Sequence, residues 1–180
     1  AKLCELEARV EKDESRRIAL YRELAHILLT NLNDAEQAAI ALKRALKMKP
    51  DDGEVKLDLA RTIASCKPTE ETRKDHRWAS DYLLKAAIEA APEDAMALAK
   101  LALLAEPESE RAVEFIEQKA RELGDVASLT EVYEQIVKRT ADVRFQAPMI
   151  RRLAKVYLEE IGEPEKALEW MRQLEAMGLE

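Results

Sequence analysis

Glycine and proline are scarce in this chain and sit almost entirely in turns. Four glycines and six prolines occur in 180 residues. They cluster in short signals such as Lys49-Pro50-Asp51-Asp52-Gly53, Ala91-Pro92-Glu93-Asp94, Leu123-Gly124-Asp125 and Ile161-Gly162-Glu163-Pro164. Inside a helix, Gly costs about 1 kcal/mol and Pro about 3 kcal/mol relative to Ala. Their confinement to turns therefore marks the intervening segments as helices. A strand-rich fold wants more β-branched and aromatic residues, and aromatics are only 4% of this chain. The fold class is all-α. Segments are expected to start near residues 14, 34, 51, 72, 93, 108, 125 and 146. Pro148 must open the last of these or kink it.

Apolar spacing supports this reading. Tyr21, Leu24, Ala25, Leu28 and Leu32 fall at i, i+3, i+4, i+7 and i+11, and Ile150, Leu153, Ala154, Tyr157 and Ile161 repeat that pattern. The following segments carry Ala38, Leu42, Ala45 and Leu46, and Ala167, Met171 and Leu174. Each set forms one stripe, with charge on the other side. Leu20, Ile27 and Leu29 lie off the first stripe, so that helix is expected to have neighbours on two sides. Asn33 with Glu36, and Asp51 with Glu54, have the spacing of capping boxes.

The chain also resembles itself. A shift of 129 places residues 22–48 on 151–177 with seven identities in 27, including Arg22/Arg151, Leu24/Leu153, Ala25/Ala154 and Ala38/Ala167. Shifts of 35 and 42 give weaker matches, Leu24-Ala25 on Leu59-Ala60 and Pro50-Asp51 on Pro92-Glu93. Such periods belong to arrays of helix pairs. A small Ala at each crossing lets the two helices approach closely.

The run from Tyr21 to Leu29, followed by Asn33 to Asp52, resembles a tetratricopeptide repeat. Leu24-Ala25 stands at the family's Leu-Gly pair, and Ala38, Leu42, Ala45 and Pro50 match its small, large, small and Pro positions. Arg152 to Tyr157 followed by Gly162 to Leu168 is a second match. The family's opening Trp is missing from both, and the middle, 67–140, fits loosely. The resemblance implies a right-handed α-solenoid of about eight to ten helices. It implies one array over 1–180, clearest at 17–50 and 146–178. Larger multi-repeat bacterial proteins of similar look act in secretion, envelope assembly and cell polarity, and the resemblance implies a fragment of a protein of that kind. The abrupt helical start at Ala1 fits a fragment, and Leu179-Glu180 reads as a remnant of an expression tag. By the match, the segments starting near 14 and 146 should both be inner helices, yet seven steps separate them. Either one helix is extra or a boundary between 93 and 139 is misplaced.

Residue chemistry points away from catalysis. The two histidines, His26 and His76, are far apart, and no Cys or His cluster has metal-site spacing. No Gly-rich loop is present to cradle a phosphate, and no Ser or Cys nucleophile has a motif around it. The expectation is a non-enzyme without cofactor or metal. A net charge of -7 argues against a nucleic-acid partner. No apolar run approaches the ~18 residues of a membrane span. Cys4 and Cys66 read as small core residues in a reducing, cytoplasmic compartment.

One constellation merits a function. Arg22, His26, Arg61, Lys100, Arg151 and Lys155 fall where inner repeat helices face the groove. Arg22/His26 and Arg151/Lys155 are i, i+4 pairs, each on one helix face. Cations gathered on one face of an acidic protein can attract an acidic peptide. The alternative is that they are ordinary solvated charges. Trp170, beside the stripe Ala167/Met171/Leu174, is available to a partner or partly buried between helices. The expected function is a scaffold binding a peptide or protein surface on the concave face. The alternative is a structural spacer that self-associates through its end helices, covering Cys4, Leu6, Leu174, Met177 and Leu179.

Overall fold

A computed structural model describes residues 1–140 and 142–178. Its described regular structure is entirely helical. The helices are α1 (Lys2–Val10), α2 (Glu14–Asn31), α3 (Ala35–Met48), α4 (Gly53–Ser65) and α5 (Arg73–Glu89). There follow α6 (Pro92–Ala105), α7 (Glu110–Leu123), α8 (Val126–Arg139), α9 (Val143–Val156) and α10 (Pro164–Ala176). A π-helical turn, Tyr157–Ile161, extends α9. The turn signals thus fall between helices as expected. No helix among the described residues is long and apolar enough to cross a membrane.

Helix starts follow capping chemistry, one residue later than the sequence spacing suggests. Asp34, not Asn33, caps α3 by accepting from the Gln37 N–H at 3.0 Å. Asp52, not Asp51, caps α4 through the Val55 N–H at 3.2 Å. Asn33 has another task. Its φ of 51° puts it in the left-handed region, which ends α2 and lets the Asp34 N–H reach the Leu28 carbonyl at 2.9 Å. Asn tolerates that conformation because its side chain is short and polar. Gly124 does the same after α7, with φ 67° and the Asp125 N–H on the Ala120 carbonyl at 2.8 Å. Asp125 then caps α8 at once. Pro148 does not open a helix. α9 starts earlier, at Val143, capped by Asp142, and runs through Pro148.

The duplication visible at a shift of 129 extends to the backbone. Asp13 and Asp142 cap α2 and α9. The left-handed Asn33 corresponds to Gly162, whose following N–H, on Glu163, reaches the Tyr157 carbonyl at 2.8 Å. α3 and α10 start at equivalent positions, 35 and 164. The last turn of α2 is α-helical, whereas its counterpart after α9 is the π-helical turn.

Each helix packs on the next one in sequence. Side-chain links then join helices two apart. Arg22 of α2 reaches Glu54 and Asp58 of α4, and Lys100 of α6 reaches Ser128 and Glu131 of α8. Among the odd helices, Arg44 of α3 meets Glu5 of α1, Lys43 of α3 meets Asp75 of α5, and Arg152 of α9 meets Glu117 of α7. The expectation that the segments starting near 14 and 146 share one face is therefore corrected. α2 is linked to the even helices and α9 to the odd ones. The boundaries between 93 and 139 hold at three full helices, so an odd number of helices, the five from α4 to α8, separates the two similar pairs.

The core is built of Ala and Leu. Leu24, Ala25, Ala38, Leu42, Ala45, Leu153, Ala154 and Tyr157 of the expected stripes are buried, while Leu32 and Met171 are exposed. Leu20, Ile27 and Leu29 are half-buried. Cys4 and Cys66 are free thiols, the first buried with its Sγ on the Leu20 carbonyl at 3.3 Å. The expected set of exposed end residues also needs correction. Leu174 and Cys4 belong to the core, Met177 is half-buried, and Leu6 is open to solvent. Leu179 and the expected tag remnant Leu179-Glu180 lie outside the described residues.

The turn after α2 separates the two capping assignments experimentally. Asp34→Ala should lower the unfolding free energy by about 1 kcal/mol. Asn33→Gly should be close to neutral, because its backbone is already left-handed. Urea unfolding followed by circular dichroism checks both. A loss at Asn33 and none at Asp34 would restore Asn33 as the cap.

Candidate functional site

A cleft of about 360 Å³ opens on the side formed by α2, α4 and α6. Its apolar part is Ala25, Leu29, Leu42 and Leu101. Its cations are Arg22, His26 and Arg61. The helical i, i+4 spacing brings Arg22 and His26 to the cleft from α2, and α4 brings Arg61 from the opposite wall. Apolar lining with a few polar groups among it is the usual composition of a binding site.

The three cations differ. The Arg22 guanidinium is held by two carboxylates of α4. Its Nε donates to Asp58 Oδ2 at 2.8 Å, and its Nη1 donates to Glu54 Oε2 at 2.7 Å. Partial burial works against its charge, but these two bonds outweigh burial and hold its pKa above the ordinary arginine value. Arg22 is thereby a strut between helices with little charge left for a ligand. Arg61 is exposed and has no ion pair among the described residues. It is the cation of the cleft that a ligand carboxylate can engage at least cost. His26 is exposed beside it.

The remaining residues of the expected stripe lie elsewhere. Lys100 stands next to the cleft residue Leu101, but its Nζ donates to Ser128 Oγ at 3.1 Å and Glu131 Oε2 at 3.2 Å. Arg151 and Lys155 are exposed on α9, and Lys155 lies 3.8 Å from Glu159. They line neither the cleft nor its rim. Trp170 is half-buried against the core. The stripe is therefore divided, with Arg22, His26 and Arg61 together and the others apart. For Arg151 and Lys155 the reason is that α9 is linked to the odd helices, and for Lys100 it is its engagement by α8.

Two features escaped the sequence. The first is a polar cluster between α7, α8 and α9. The buried Tyr133 hydroxyl donates to Glu117 Oε1 at 2.8 Å, and Arg152 Nη1 donates to the same oxygen at 2.7 Å. Burial alone would raise the Glu117 pKa, but the bonds from Tyr133 and Arg152 prevail and hold it below the ordinary carboxylate range. Burial, reinforced by the Glu117 charge, pushes the Tyr133 hydroxyl far up. Tyr133 lies within an apolar helix face, so the sequence marks it as core and gives no sign of its partners.

The second is a cavity of about 480 Å³ where the α4–α5 and α6–α7 turns approach the start of α9. Buried His76 lines it together with half-buried Leu104 and Phe145. Its charges largely close on themselves, as Arg77 with Glu106 at 3.1 Å and Arg144 with Asp142 at 2.7 Å. Three turns distant in sequence build it, which no local pattern encodes.

No protein-family model matches the chain, and no curated protein matches it.

Glu117 makes stability depend on pH. Its pKa is lower folded than unfolded, where it is about 4.3. The stabilisation is complete above the unfolded value and is lost as pH falls through the folded one. Urea midpoints between pH 7 and pH 3 should fall more steeply for the wild type than for Glu117→Gln. The variant should start lower and converge on the wild type in acid. Parallel curves would show that Glu117 does not carry the effect.

Proposed function

We propose that this chain is a non-enzymatic interaction module that binds a peptide or protein surface through the cleft of α2, α4 and α6. The observation that carries the reading is Arg61, exposed and without an ion pair among the described residues, in a cleft that Leu29 and Leu101 also line. An apolar side chain would enter the cleft, and a neighbouring acidic group would meet Arg61 and His26. The Arg22 fork fixes the spacing of α2 and α4, so the cleft is largely formed before a ligand arrives. Helix pairs stacked in sequence order fit a right-handed α-solenoid of the tetratricopeptide type, with the even helices as its ligand side. The sequence resemblance and the repeated turn at Asn33 and Gly162 support that reading. On it, the cytoplasmic scaffolds and adaptors built on such arrays are the nearest functional class.

A second reading is a spacer that self-associates through its ends. It is favoured by exposed leucines at both ends of the chain, Leu3 and Leu6 in α1 and Leu168 in α10.

Selection from a random peptide library tests the first reading. Wild type should enrich peptides that combine an acidic residue with a large apolar one. Arg61→Glu should weaken their binding by about tenfold or more, the effect of losing one charge-assisted bond. Arg151→Glu, outside the cleft, should leave it unchanged. Equal loss in both variants would mean attraction by overall charge, and no enrichment at all would remove the cleft as a peptide site.

A further inference from the structure

Three helices on the side of the cleft share one local pattern. It reads Leu24-Ala25-His26 in α2, Leu59-Ala60-Arg61 in α4 and Leu98-Ala99-Lys100 in α6. Each stands four or five residues before the last residue of its helix. The Leu and the Ala are buried in all three. The basic residue that follows is exposed in α2 and α4 and half-buried in α6. A common register on helices that share a side sets these basic side chains in a row. Lys100 is engaged by Ser128 and Glu131. His26 and Arg61 have no ion pair among the described residues, and they line one cleft from two helices.

The ionisable side chains lining this cleft are Arg22, His26, Asp58 and Arg61. Arg22 and Asp58 are bonded to each other at 2.8 Å, and Glu54 engages the same guanidinium at 2.7 Å. α3 and α6 bring only Leu42 and Leu101 to the lining. On α2 itself, His26 has exposed Glu23 at i−3 and half-buried Arg22 at i−4, one neighbour of each sign. With a neutral imidazole, Arg61 is the one lining cation not already bonded to a carboxylate. With a protonated imidazole there are two. Imidazole is the side chain that ordinarily changes charge between pH 5 and 8, whereas a guanidinium keeps its charge throughout. His26 is open to solvent, so its ring takes up or loses a proton without any unpacking of the core.

We infer that His26 sets the pH response of the cleft: protonated, it joins Arg61 in holding an acidic group of a bound peptide, and neutral, it leaves that group to Arg61 alone. This deepens the peptide-binding reading above and rests on it. A carboxylate beside an imidazole favours the protonated ring. The added grip is therefore complete in mild acid and is lost as pH rises through the imidazole range. The gain is about fivefold in affinity, the size of a solvent-screened ion pair.

A random peptide library without histidine tests it, selected on the 180-residue chain at about pH 5.8 and about pH 7.8, where peptide carboxylates are ionised throughout. Peptides that combine an acidic residue with a large apolar one should be enriched. By fluorescence anisotropy they should bind the wild type about fivefold more tightly at the lower pH. His26→Gln, polar but without the proton, should bind them alike at both pH values. His26→Lys, charged at both, should bind at both as the wild type does in acid. The position is exposed, so circular dichroism should show unchanged helicity in either variant. No enrichment of acidic peptides at either pH would overturn the cleft as their site, and this inference with it. Peptides that bind the wild type equally at both pH values, or that keep their pH response in His26→Gln, would overturn the role of His26 and leave the cleft standing. So would a His26→Lys variant that binds no better than His26→Gln at the higher pH.

Discussion

Every helix in this chain has to bury apolar surface against its sequence neighbours, and alanine at the crossings is what lets it do so. Alanine is the commonest residue of the core. Ala25 of α2 and Ala38 and Ala45 of α3 stand among buried leucines, as do Ala60 and Ala64 of α4. Small residues bring two helix axes together, and the leucines between them fill the remaining space. The chain has few aromatic side chains to bridge wider gaps. Close approach then fixes turn length. The turns at Asn33, Gly124 and Gly162 are short because their left-handed residues reverse the chain within one or two positions.

Polar side chains add a second level of order. Ala–Leu packing joins each helix to the next, and it does not by itself set the position of the helix after that. The Arg22 fork across to α4, Lys100 across to α8 and Arg152 across to α7 supply that link. Exposed ion pairs contribute little stability individually. Those with two bonds or partial burial, as at Arg22 and Glu117, are the ones that hold geometry. The cleft depends on this distinction. Arg22 looks like a ligand-binding cation in the sequence, yet two carboxylates of α4 engage it, while Arg61 has no ion pair among the described residues.

The similar pairs α2–α3 and α9–α10 show how context changes the use of one pattern. The Asp caps of α2 and α9, the starts of α3 and α10 and the reversing turns correspond, yet their neighbours do not. Arg22 finds Glu54 and Asp58 on α4, while α9 is tied through Arg152 to Glu117 on α7. Leu42 is covered and Met171 is not. An odd number of helices between the pairs sends them to different sides, and so the row of cations Arg22, Arg61, Arg151 and Lys155 is broken.

Local features were legible in the residues. Helical class, the approximate starts of eight of the ten described helices, and the buried faces follow from Gly/Pro placement and apolar spacing, because both act within a few residues along the chain. The exact capping residues were misread by one position, since Asn33 and Asp34 are alike in chemistry and only the backbone φ separates their roles. Tertiary structure alone decided which helices share a side, which cations are already engaged and which leucines stay exposed. These depend on partners 30 or more residues away, as in Arg22 with Glu54 or Arg152 with Glu117. A helical sequence encodes the face that will be buried, but the identity of the neighbour on that face is set by how many helices stand between.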